Sequence, residues 1–119
     1  MAGPSKKAEA DATAVQDKIA EMAAPDREIA VRVHALVMAA APDLAPRLWY
    51  GQPAWARSGK VVCFFRSGHE DKERYSTLGF SAEANLDDDR GIWPTSYALT
   101  RLAPAGEQQI TELVKAAVS

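Results

Sequence analysis

The sequence predicts an α+β domain in which two N-terminal helices and a C-terminal helix pack on one face of an antiparallel sheet of about five strands. Apolar residues recur at helical spacing before residue 41 and again after residue 104, whereas between them β-branched and aromatic residues come in short runs bounded by Gly, Pro and Ser. Ser58-Gly59, set between Ala54-Trp55-Ala56-Arg57 and Lys60-Val61-Val62-Cys63, is a tight hairpin signal that makes those two strands antiparallel neighbours. The order helix, helix, strands, helix is that of an α+β domain.

Taken in order, residues 1–12 are small and charged, with nothing to bury, and read as a disordered tail ahead of a single domain over 13–119. Val15, Ile19 and Met22 form the apolar stripe of a short first helix. Pro25 opens a second helix, where its missing N–H costs nothing, and Asp26 and Glu28 complement the helix dipole. Ile29, Val33, Leu36, Val37 and Ala40 give that helix a wide apolar face, and Pro42 ends it near Ala41. Strands are expected at about 47–51, 54–57, 61–66, 74–80 and 95–101, with a polar loop over 67–72. Residues 81–86 read as one or two helical turns with Ser81 as N-cap. Pro104 opens the last helix, which carries Ile110, Leu113, Val114 and Ala117 on one face.

The aromatic centre of the chain is Leu48-Trp49-Tyr50-Gly51-Gln52-Pro53-Ala54-Trp55, followed by Val61-Val62-Cys63-Phe64-Phe65. Strict alternation over 61–65 points Val61, Cys63 and Phe65 one way and Val62 and Phe64 the other, so both faces of this strand are apolar. Either the strand is buried on both sides by its own chain, or the second face is left to a pocket, a covering loop or self-association as a homodimer.

A net charge of −2 and a pI near 5.6 give no general attraction to phosphate backbones or anionic lipid, which makes nucleic acid an unfavoured partner. Residues 47–74 do hold six basic and three acidic side chains, but an excess of three fits solvated loop and edge positions. No apolar run has the length of a membrane span, and the first twelve residues carry no secretory signal pattern, so a cytoplasmic location is expected. The single cysteine, Cys63, excludes an internal disulfide and sits in an apolar strand as a small hydrophobe.

Four ordered motifs resemble the YdhG-like family of small bacterial domains: Ala40-Ala41-Pro42-Asp43, Trp49-Tyr50-Gly51-Gln52-Pro53-Ala54, Gly59-Lys60-Val61-Val62-Cys63-Phe64-Phe65 and Tyr75-Ser76-Thr77-Leu78-Gly79-Phe80. The resemblance runs from about residue 15 to 118, with Leu86-Asp87-Asp88 and Trp93-Pro94-Thr95 similar to the actinobacterial branch and Gln52 where the family often has Met. It implies the superfamily that also takes in YjbR-like and CyaY (frataxin-like) proteins, and hence a frataxin-like sandwich of helices on an antiparallel sheet. Members are often labelled iron chaperones, which makes iron the one cofactor the resemblance suggests. The frataxin iron surface is an acidic ridge on the first helix and first strand. Here the first helix offers Asp17 and Glu21, and residues 47–57 carry no carboxylate.

For a metal the residues to consider are His69, Glu70 and Asp71, or Asp87, Asp88 and Asp89, since hard cations take oxygen ligands and iron accepts imidazole with carboxylate. Consecutive loop residues rarely converge on one ion, so solvated loops are the plainer reading. His34 shares its helix with Arg27 and Met38 and has no Cys or His at i+4 for a zinc pair, which makes it a flank-of-core histidine. Cys63 and His69 are the pair to weigh as nucleophile and base, but Cys63 is mid-strand and His69 at least one turn away, so the sequence does not place them within hydrogen-bond reach, and no Gly-rich phosphate loop is present. The residues therefore point to a non-catalytic binding domain. Its aromatic sheet surface, with Trp49, Tyr50, Trp55, Phe64, Tyr75 and Trp93 as contacts and Arg47 and Arg66 supplying polarity, would take a small ligand or a partner protein. The alternative is an iron-binding protein by superfamily analogy.

Overall fold

The computed structural model describes residues 5–119. Three helices, α1 (Lys6–Ala20), α2 (Ala24–Ala40) and α3 (Pro104–Ala117), accompany five strands, β1 (Ala45–Trp49), β2 (Gln52–Arg57), β3 (Lys60–Arg66), β4 (Ser76–Phe80) and β5 (Ser96–Leu99). The strands form one antiparallel meander in the order β1-β2-β3-β4-β5. The predicted α+β class and the placement of the helices both hold.

The expected tail over 1–12 is corrected from residue 6 onward, and residues 1–4 lie outside the described residues. Helix α1 starts at Lys6 because Ser5 caps it, its Oγ accepting the Ala8 N–H at 3.0 Å, and Lys7 pairs with Asp11 one turn on at 3.0 Å. The alanine-rich start has high helix propensity without any apolar stripe. Periodicity alone therefore placed the start too late.

The sheet departs from the expected strands at its turns. Tyr50 and Gly51, expected to end the first strand, are a two-residue turn, both with positive φ (51° and 75°). Ser58 and Gly59 repeat that geometry (53° and 80°), so both hairpins have the left-handed central residues that match strand twist. Residues 81–86 form no helix. Instead Ser81 donates its hydroxyl to the Val61 carbonyl at 2.5 Å and its N–H to the Val62 carbonyl at 2.9 Å.

Those two carbonyls need partners because β3 carries a bulge. Trp55 pairs with Cys63 but Ala56 pairs with Val61, which leaves Val62 as one extra residue. The strict alternation expected over 61–65 is thereby broken. Val62, Cys63 and Phe65 join the helix-side core with Trp55, Leu78 and Phe80, while Val61 and Phe64 turn to the opposite face.

The main core lies between the sheet and the helices, built on Val15, Ile19, Ile29, Val33, Val37, Ile110 and Val114 against that strand set. Arg32 of α2 holds Glu107 of α3 by two hydrogen bonds of 2.9 and 2.7 Å, tying the two helices at their exposed edge. A second, smaller cluster of Ala54, Ala56 and Val61, with Trp49 and Phe64 packed on it, contains no helical residue. Among the described residues, no helix is long and apolar enough to cross a membrane.

Candidate functional site

The sheet face turned away from the helices gathers four of the eight residues expected to make contacts, and a fifth stands at its rim. Strand pairing sets one row across all five strands: Arg47 opposite Ala54, Ala54 opposite Phe64, Phe64 opposite Gly79 and Gly79 opposite Ser96. Phe64 lies across Gly79 so closely that a Cβ there would run into its ring, which is why glycine stands at that point of β4. Trp49 flanks the other side of Phe64 with ring centroids 5.3 Å apart, and Tyr50 meets Trp49 edge-on at 4.9 Å. The three rings form a continuous aromatic ridge.

Tyr50 is 87% exposed at the tip of the first hairpin and holds a left-handed backbone that a residue with a Cβ adopts at a cost. Trp49 and Phe64 are half-buried. Arg47 stands on β1 at the end of the row and has no ion-pair partner among the described residues. Arg66 also faces this side, but its guanidinium bonds both carboxylate oxygens of Glu73 (3.1 and 3.0 Å) and one of Asp71 (3.3 Å). Its charge is consumed by its own loop.

Three expected contacts are placed elsewhere. Trp55 is fully buried on the helix side, where its Nε1–H donates to Nδ1 of His34 at 3.1 Å, so its expectation as a surface contact is corrected. The bulge and the register put it opposite Cys63, under α1 and α2. Tyr75 precedes β4, carries the Arg74 guanidinium 5.3 Å above its ring, and lines a hollow with Pro25, Asp26 and His69. Trp93 is half-buried in the segment before β5. Neither Tyr75 nor Trp93 makes a ring contact with Trp49 or Phe64 among the described residues.

The residues weighed for a metal do not converge: among the described residues no group of three or more His, Cys, Asp and Glu side chains could hold an ion. His69 is exposed, with its backbone N–H given to Asp26 at 2.9 Å. Asp88 is occupied by Arg90, whose backbone N–H, Nε and Nη2 reach its two oxygens at 2.8 to 2.9 Å, and this bonding holds its carboxyl below the ordinary range. Asp87 is exposed and stands apart from that pair. The Cys63 thiol is buried, which pushes it up to about 12, so it stays protonated at neutral pH and unfit as a nucleophile.

Sequence reasoning missed a part-buried polar hub. Oδ2 of Asp26 accepts the Ser67 hydroxyl at 2.5 Å and the His69 N–H at 2.9 Å, and the Gly68 N–H is bonded to the Ser76 hydroxyl at 3.0 Å. Burial pushes the Asp26 carboxyl up, but the bonds from Ser67, the His69 backbone and Ser76 together outweigh it and leave it lowered. The hub clamps the β3–β4 loop to the first turn of α2. Its partners lie 41 to 50 residues apart, beyond any local pattern. No protein-family model, curated protein or solved structure matches the chain.

Proposed function

We propose that the chain is a non-catalytic binding domain whose helix-free sheet face, centred on Trp49, Tyr50 and Phe64, holds a partner protein. The observation that carries this reading is Tyr50. An aromatic side chain at 87% exposure, on a left-handed turn residue and touching only the edge-on ring of Trp49, is unfavourable for the isolated fold both in backbone and in solvation. Such a residue is stabilised when a partner covers it, and tyrosine and tryptophan dominate the centres of protein interfaces. Arg47 at the end of the row adds a cation beside the ridge, with no salt bridge among the described residues.

A photoreactive amino acid placed at position 50, with a control at the exposed position Ala39 of α2, tests the reading in cells of the natural host. A discrete crosslinked product from position 50, lost in the Trp49→Ala background while the melting temperature is kept, supports it. Equal labelling from both positions overturns it. A crosslinked dimer would make a second copy of this chain the partner. The iron reading draws no support from the arrangement of acidic and histidine side chains.

A further inference from the structure

A cleft of about 360 Å³ lies between the first two helices, within the ~300 to 1,000 Å³ of small-molecule sites. Gln16, Ile19 and Ala20 line it from α1, and Arg27, Val31 and His34 from α2. The spacings i, i+3, i+4 and i, i+4, i+7 put each set on one helix face. Val31 is 53% exposed, so the cleft presents an apolar wall to solvent.

The polar groups of this cleft are all equipped to donate. The Trp55 indole is a donor only, so Nδ1 of His34, which it reaches at 3.1 Å, must be unprotonated. The neutral imidazole therefore carries its proton on Nε2, the nitrogen left over for the cleft. Arg27 spends one Nη1–H on the Met22 carbonyl at a long 3.4 Å and keeps its remaining N–H groups. Among the described residues no Asp or Glu side chain lines the space. Gln16 can turn either end of its amide to a ligand, but a ligand amine would meet the Arg27 cation and the Nε2–H donor of His34, whereas a carboxylate would meet complementary charge.

We propose that the α1–α2 cleft binds a small monocarboxylic acid with an apolar body, its carboxylate toward Arg27 and Nε2–H of His34 and its hydrocarbon against Ile19, Ala20 and Val31. This site is separate from the aromatic sheet face and stands without it. The buried Trp55 indole N–H, one hydrogen bond behind the cleft, serves as its internal reporter.

The test is a titration of the full ¹⁵N-labelled chain with octanoate below its micelle concentration, against octylammonium as the charge-reversed control. Octanoate is expected to shift the Trp55 indole N–H resonance and the α1 and α2 amides saturably, with octylammonium silent. Arg27→Gln should weaken octanoate by at least about tenfold, as loss of a charge-assisted hydrogen bond requires, and Val31→Asp, at an exposed position, should abolish it. Binding of octylammonium as tight as octanoate, shifts confined to Trp49, Tyr50 and Phe64, or no saturable shift with octanoate would each overturn the proposal.

Discussion

The Trp55 indole and the His34 imidazole share one hydrogen bond of 3.1 Å across the main core, and the bond exists in one protonation state of the histidine. Burial holds His34 below its ordinary value of 6.5. The unfolded chain therefore takes up this proton at a higher pH than the folded one. Stability is full above the unfolded value and falls as the pH drops through it toward the lowered folded one. Urea midpoints measured from pH 7.5 to 5.5 should decline, and His34→Gln should flatten that decline.

A second acid transition belongs to Asp26, whose lowered carboxyl gives stability that is full above the unfolded value near 3.8 and is lost as pH falls below it. Asp26→Ala leaves the Ser67 hydroxyl and the His69 N–H without their acceptor. The expected cost is about 1–3 kcal/mol, with the β3–β4 loop losing hydrogen-exchange protection first. Unchanged protection over 67–76 would show that the hub does not hold the loop.

Tyr50 should reveal a trade between folding and contact. Tyr50→Gly removes the left-handed penalty and is expected to raise stability by roughly 1 kcal/mol, while partner capture through the sheet face falls. A stability loss would mean that the Trp49 contact outweighs the backbone cost.

Gly79→Ala should lower stability by about 1–3 kcal/mol through the clash with the Phe64 ring. Phe64→Leu in the same chain should recover part of it. Thermal melts of the two single variants and the double variant give the coupling directly.

The two tryptophans of the β1–β2 hairpin should separate. Trp55→Ala is expected to cost roughly 3–5 kcal/mol as a buried aromatic, whereas Trp49→Ala should cost clearly less and act on binding.

Much of this architecture is legible in the sequence, and the exceptions have physical causes. Pro25, Pro42 and Pro104 mark helix boundaries because the proline ring dictates them locally, and α2 ends at Ala40 and α3 begins at Pro104 accordingly. The surface role assigned to Trp55 failed because one inserted residue, Val62, reassigns sides along β3, and a bulge has no local signature in a run of Val, Val, Cys, Phe and Phe. Trp49, Tyr50 and Phe64 stand out in the sequence only within a pool of six aromatics, since the bulge that brings Phe64 to the face of Trp49 leaves no local mark. The Asp26 hub does not stand out at all, because its partners meet through tertiary structure alone.

The one-sided placement of the helices divides the chain's obligations. Leu78 and Phe80 of β4 answer to the core, while Ser96 and Ala98 of β5 and Arg47 of β1 stand exposed or half-exposed outside it. Sequence drift at the latter positions can change what the domain meets without disturbing how it is made. The sheet is in effect a partition, with the larger core recorded on one side and a smaller core with an editable surface on the other.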